Sequence, residues 1–495
     1  MSPHPAPPDA WPACTREIAG WGRFPRAACH VLSGYAPADA AAFLAGRAGR
    51  TLIARGAGRA YGDAALNRNQ GVIDLTGMRR FLAFDPQTGL LHAEAGVTLQ
   101  DILHTFVPRG WFLPVTPGTQ YPTLGGSLAC NVHGKSKESL SHHVERLHML
   151  LADGSVTACS RRTHPDLFWA TLGGMGLTGI ILSAEIRLRP IASSFIRYEG
   201  VKAANLDAIF RLFEEERDAP LSVAWIDCLA RGANLGRSIM MRGDFARPGD
   251  LKQAAQRRRP LQVPRKSKIP VPVEFPAWTL NPLSMLAFNT AYYAKHPARL
   301  HTVMDYDSFF YPLDTILRWN LIYGRRGMVQ YQFLIPPDRS FEGVKSLLEK
   351  IAASGRASFL AVLKKFGDQP EQSTLSFPGP GYFLALDFPV GDGRILGLMD
   401  VWDREVLEYG GRIYLTKDAR MKRETFEAMY PGLAAWKRVK QAVDPKGVFA
   451  SDMARRLGLL ESPPPSGVRR RPAPAGAGKT ARKKTTARRG AKKTR

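Results

Sequence analysis

Three glycine-bearing segments fall in the first half of the chain: residues 55–63 (RGAGRAYGD), 117–135 (PGTQYPTLGGSLACNVHGK) and 173–180 (GGMGLTGI). Glycine lets a backbone approach a phosphate closely and turn its N–H groups toward it. The third segment contains GxGxxG by position, at Gly174, Gly176 and Gly179. A Rossmann fingerprint, however, needs strand, glycine loop and then helix, so that a pyrophosphate meets a helix N-terminus. Here a helical pattern precedes the glycines and a β-branched run follows them. The first segment does follow an apolar run (TLIA), but another turn and the run GVIDL come next. Neither is a Rossmann loop. The pattern fits a pyrophosphate held by several loops.

The flanking elements read as α+β. Strands are expected at 51–55, 71–75, 91–95 and 179–188, and helices at 37–47, 99–106 and 165–172. Thr98 with Asp101, and Thr163 with Asp166, each resemble a capping box. A second block mixes strands at 222–226, 328–335 and 383–388 with helices at 206–216, 340–353 and 395–409. Its run QYQFLI begins by alternating polar and aromatic residues, as a sheet with one pocket-lining face would. The stretch 257–282 is basic and proline-dense, so it resists regular structure and reads as a mobile lid or surface loop. The expected organisation is an N-terminal nucleotide-binding part over 16–193, an antiparallel-sheet substrate domain over 194–410, a C-terminal return over 411–460 and a tail over 461–495.

That tail holds twelve of the 69 Lys and Arg residues, no acid beyond Glu461 and almost no large apolar side chains. It is expected to be disordered. Clustered cations suit nucleic acid or anionic lipid, so a polyanion-binding protein led by its tail is one reading of the chain. Nucleic acid is not expected as the main partner. The five cysteines are scattered, with no CxxC pair, which fits a reducing compartment. Residues 167–184 carry no charge but hold four glycines, and read as buried helix, loop and strand in place of a membrane span. No signal peptide is read at the N-terminus. The expected location is cytoplasmic, with peripheral contact at the inner membrane. His142, His143 and His148 lack supporting carboxylate or cysteine spacing, and no metal site is expected.

The glycine segments resemble the vanillyl-alcohol-oxidase/p-cresol-methylhydroxylase superfamily of FAD proteins, in which RGxG(R/H)xxxD and PGT…T(L/V)GG segments clasp the flavin dinucleotide. Within it, the ordered segments FFYPLD, GMVQYQFLIP, SFLAVLKKFG, LSFPGPGYFLALDFP, GGRIYLTKDAR and VDPKGVFASDMARRLGLL resemble the decaprenylphosphoryl-β-D-ribose 2′-oxidase family. The likeness runs from about residue 16 to 460 and implies a two-domain FAD-binding (PCMH-type) fold. It implies oxidation of a polyprenylphosphoryl-ribose 2′-hydroxyl as the first half of epimerisation to the arabinose form. A separate NAD(P)H-dependent keto-reductase would complete it. Where many members carry a flavin-linking histidine this chain has Arg59, which implies non-covalent FAD.

By position, the resemblance assigns Gly56, Ala57, Gly58, Arg59, Ala60 and Tyr61 to the pyrophosphate and flavin. Gly118, Thr119, Thr123, Gly125, Gly126, Ala129, Asn131, His133 and Gly134 would complete the cradle, with Ile180 or its neighbours by the adenine. Lys417 would sit beside the isoalloxazine and the reacting carbon, where a fixed cation stabilises charge on the flavin. Lys135, Trp225, Gln330, Gln332, Lys364 and Phe366 would face the substrate. The sugar hydroxyl must also lose a proton, and His133, Lys417 and Tyr61 are the candidate acceptors. Lys135 or Lys364 could supply a cation for the phosphate.

The chain departs from the family at three positions. A family cysteine is Ala385 here, so inhibitors that attack that thiol should not bond covalently. An asparagine two residues earlier is Phe383, and a pocket tyrosine becomes Phe310. The reaction type is untouched by these changes. Sugar and chain length stay open, and a soluble alditol or aldonolactone is the alternative substrate.

Overall fold

Thr98 starts the helix Leu99–Phe106 as its sequence predicts: its side chain accepts from the amide of Asp101, whose carboxylate takes the Thr98 amide in return. The expected second box does not form. Pro165 occupies the first helical turn and His164 becomes the N-cap at φ 48°, so Thr163 stays outside, its amide on Ser160. Proline favours that first position because its missing N–H is one the helix leaves unpaired anyway. The uncharged run at 167–184 is the helix Pro165–Thr171, a glycine loop and the strand Ile180–Arg187. Among the described residues no helix is long and apolar enough to cross a membrane.

The computed structural model describes residues 14–215, 219–263, 266–276, 279–356 and 360–460. The fold is α+β, with two smaller sheets in the N-terminal half and one large antiparallel sheet. The expected disordered tail lies outside the described residues, as do four positions of the proline-dense segment. What is described of that segment has little regular structure, chiefly the pair Ile269–Pro270 running parallel to Ile316–Leu317.

Two sheets build the N-terminal part. In a four-stranded sheet, Arg26–Ser33 and Leu52–Arg55 both run parallel to Gly71–Asp74, with Thr15–Ala19 at the edge. An antiparallel five-stranded sheet is ordered Phe81–Asp85, Leu90–Glu94, Ile180–Arg187, Val144–Leu150, Val156–Ser160. The C-terminal residues pack back onto this part. Phe449 bridges Leu52, and the buried Lys440 ammonium donates to the carbonyls of Leu177 (2.7 Å) and Phe449 (2.9 Å).

The third sheet has eight antiparallel strands, ordered Arg299–Asp305, Phe195–Ala203, Ser238–Phe245, Leu221–Ile226, Ala361–Lys365, Tyr382–Pro389, Met328–Ile335, Arg412–Ile413. Successive side chains of a strand point to opposite faces. Val329, Tyr331, Phe333 and Ile335 therefore join one apolar core with the helices Ser340–Ala353 and Arg394–Glu408. The alternate positions, Gln330 and Gln332, turn to the other face. The register sets Gln330 opposite Asp387 and Gln332 opposite Ala385. That second face looks into the site.

Candidate active site

A cavity of about 940 Å³ is lined from one side by the first two glycine segments and from the other by the polar face of the eight-stranded sheet. The size is near the top of the usual ligand-pocket range of about 300–1,000 Å³. The glycines are fixed by how tightly the segments meet. A Cβ on Gly56 would stand 2.0 Å from the Thr123 hydroxyl, and that hydroxyl caps the helix Leu124–Ala129 at the Gly126 amide (3.2 Å). A Cβ on Gly62 would meet the Asp418 carbonyl at 1.9 Å. Arg456 locks the same junction from outside, pairing with Asp63 and Asp418, each at 2.8 Å. The first glycine loop is thus clamped between the PGT segment and YLTKDAR.

The cavity wall fits a dinucleotide. Among the described residues, the amides of Ala57, Gly58, Arg59 and Ala60 donate to no protein acceptor, leaving a run of N–H groups suited to an anion. Ser127 Oγ and Arg59 Nε are also buried at this wall without a partner among those residues. The Arg59 guanidinium lies between Trp21 (4.3 Å) and Tyr121 (4.8 Å), and burial lowers its pKa. A buried polar group without a partner costs free energy, and a bound polar ligand removes that cost.

Of the residues expected at the cofactor and substrate, all but Asn131, Ile180, Lys364 and Phe366 line this cavity. Asn131 ties loops together one layer back, donating to Ser376 (2.7 Å) and accepting the Ser141 amide (2.9 Å). Ile180 turns into a separate apolar core, and its neighbours Gly179 and Ile181 reach the wall. The fully buried Lys364 donates to the Ser136 carbonyl with its ammonium 5.0 Å from the Phe366 ring. Phe366 backs His133 at 5.1 Å.

His133 sits among the rings of Phe366, Phe377, Phe383 and Tyr414, all 5.0–5.5 Å away. Its Nε2 lies 2.8 Å from the Gln332 amide nitrogen, and its buried Nδ1 has no partner among the described residues. Burial, with the Lys364 and Lys417 charges adding to it, pushes its pKa well below the ordinary histidine value. The imidazole is neutral and its Nε2 already engaged.

A second polar cluster surrounds Lys417. Its ammonium rests 3.8 Å from the centre of the Tyr61 ring, and the Tyr61 amide donates to the Thr416 carbonyl (3.0 Å). Burial draws Lys417 below the usual lysine range, opposed by the Asp387 charge. Burial raises Asp387 above the usual carboxylate range, opposed by the Gln330 hydrogen bond and by Lys417. The sequence reading missed Asp387. Its signal was there: strand alternation puts it on the same face as Phe383 and Ala385. Lys417 lines the cavity whereas the fully buried Asp387 does not, so of the two the lysine can exchange a proton with a ligand hydroxyl.

Lys135 marks another stretch of the wall. Its ammonium lies 5.3 Å from the Phe309 ring and donates to the Phe310 carbonyl at 3.5 Å. Burial alone draws its pKa down to about 8.

A model of the FAD binding domain matches residues 38–160, and a D-arabinono-1,4-lactone oxidase model matches residues 396–457. The decaprenylphosphoryl-beta-D-ribose oxidase of Mycolicibacterium smegmatis is 38% identical over 459 residues, 91% of this chain and 99% of that protein. An uncharacterized Streptomyces coelicolor protein is 34% identical, over 73% of this chain and all of its own length. A putative D-arabinono-1,4-lactone oxidase of Neurospora crassa is 25% identical over 44% of this chain and 38% of its own.

Proposed function

Because the chain belongs to the family of the M. smegmatis decaprenylphosphoryl-beta-D-ribose oxidase, and is an FAD-dependent oxidoreductase, we propose that it oxidises the 2′-hydroxyl of a polyprenylphosphoryl-β-D-ribose to the 2′-keto sugar. This is the first half of epimerisation to the arabinose form. A separate NAD(P)H-dependent keto-reductase completes it. The observation that carries the reading is the single cavity joining the glycine loops to the Gln330, Gln332 and Lys417 face.

Bound FAD would supply the acceptor for the hydride that leaves C2′. The amides of residues 57–60 and the Arg59 side chain would hold its diphosphate. Lys417, at the cavity wall and drawn below the usual lysine range by burial, takes the hydroxyl proton, and the buried Asp387 carboxyl tunes its charge. His133, with Nε2 held by Gln332, orients the sugar in preference to acting as base. Lys135 receives the substrate phosphate, which supplies the counter-ion that its apolar surroundings lack. Phe383 and Phe310 make the pocket wall apolar where the family has polar groups.

Incubation with a polyprenylphosphoryl-ribose and an artificial electron acceptor tests the substrate. The expected product is two hydrogens lighter, and borodeuteride reduction places its deuterium at C2′. Turnover of soluble alditols or aldonolactones, with the lipid-linked sugar left intact, would overturn the assignment.

A further inference from the structure

Exposed apolar side chains are not scattered over this protein. Among the described residues twelve large hydrophobic side chains are exposed, and eight of them fall between residues 269 and 300. Ile269 is 66% exposed, Val273 62% and Leu283 79%. The helix Pro282–Lys295 carries much of this surface. Only Met285 and Asn289 of its side chains are buried, while Leu283 and Leu286 stand in the open. Soluble proteins rarely expose contiguous apolar surface of this kind, and such surface marks a contact site.

Two features identify the contact. The first is charge: residues 251–300 hold nine Lys and Arg and a single acid, Glu274, which is paired with Arg23. Apolar side chains set among cations fit the interface of an anionic bilayer. The second is continuity with the active site. Phe288 and Tyr292, one turn apart on the helix, line the cavity together with Pro270 and Leu317, and Tyr292 packs on Trp225 at 4.7 Å. The cavity mouth therefore opens beneath the exposed apolar helix.

We propose that the helix Pro282–Lys295 and the flanking residues Lys266–Pro276 form a docking face for an anionic membrane. Leu283 and Leu286 enter the acyl region, and the cavity mouth opens onto the bilayer. Resting on the substrate reading above, the same face gives a prenyl chain a route from the bilayer, past Phe288 and Tyr292, to the sugar site. A substrate with a membrane-embedded tail can then be oxidised without leaving the lipid phase.

Flotation of the full FAD-loaded chain with vesicles of equal phosphatidylglycerol and phosphatidylcholine tests the docking. The assay is run at 0.1 M salt, where the screening length is about 10 Å and the charges of the face still act; the basic tail is common to all the variants compared. Leu283→Glu/Leu286→Glu is expected to lower vesicle partition at least tenfold. Leu82→Glu/Val156→Glu, which changes exposed apolar positions elsewhere, is expected to leave it unaltered. Retained flavin absorbance reports folding, and Leu283→Ser/Leu286→Ser serves if the glutamates perturb it. Equal partition of the two glutamate variants would overturn the proposal. So would a dimer that the Leu283/Leu286 changes convert to monomer, since the face would then belong to a second copy. The vesicles contain no substrate, so docking is judged apart from the substrate reading. A protein that floats but oxidises no polyprenylphosphoryl-ribose would retain the docking face and lose the substrate assignment.

Discussion

Replacing Lys135 with methionine should make the protein more stable and a poorer enzyme. The Lys135 ammonium lies against Phe309 and Phe310 with one long hydrogen bond to a carbonyl, and its pKa falls from 10.5 to about 8. At about 1.4 kcal/mol per pKa unit, the folded state disfavours that charge by roughly 3 kcal/mol. Solvent entering the cavity screens this to roughly 1–2 kcal/mol. A lysine whose folded pKa is lowered destabilises fully below that value, and the penalty fades as pH rises from about 8 toward 10.5. Thermal unfolding of the FAD-loaded proteins should therefore show Lys135→Met melting above wild type at pH 6.5, with the gap narrowed at pH 9.5. The same change removes a charge-assisted hydrogen bond to the substrate phosphate, worth about 1.5–3 kcal/mol. KM should rise roughly tenfold to a hundredfold with kcat within about threefold, as for loss of binding shared by ground and transition states. A variant less stable than wild type, with KM unchanged, would refute both halves of the reasoning.

The junction of the glycine loops gives a second test: Gly56→Ala forces a methyl into the Thr123 hydroxyl at 2.0 Å, so protein purified from it should carry less than about a tenth of the wild-type flavin absorbance. Gln332→Leu leaves His133 Nε2 without its partner inside an aromatic box, costing about 1–3 kcal/mol in chemical denaturation; adding His133→Phe should recover most of that loss. Arg59 has no bond-forming nucleophile, so acid precipitation should release all the flavin into the supernatant. Thiol-directed inhibitors of the family should leave the protein's mass unchanged, whereas Ala385→Cys, at the cavity wall, should gain the adduct.

Much of this architecture is legible from local chemistry. The box at Thr98 and Asp101 and the strand Met328–Ile335 match their sequence signals because capping and alternation are decided within a few residues. The order of elements around the glycines excluded a Rossmann loop for the same reason. Thr163 was misread because Pro165 and Thr163 both signal a helix start, and the proline set the boundary. Misplaced site residues have a tertiary cause. Lys364 and Phe366 lie on the pocket side of the sheet, yet His133, brought in from a distant loop, covers that part of it. Asp387 reads as one acid in LALDFP until the register sets it opposite Gln330. The Trp21 and Tyr121 faces around Arg59 come from positions a hundred residues apart, and no local signal joins them.

The most direct measurement of the central claim is the visible absorption of the purified protein, recorded anaerobically before and after a polyprenylphosphoryl-ribose analogue is added. Oxidised flavin bands should bleach on addition, at a rate that falls in Lys417→Met. Flavin that stays oxidised with this substrate, and bleaches with a soluble polyol, would contradict the assigned substrate. Protein purified without any flavin would contradict the account at its root.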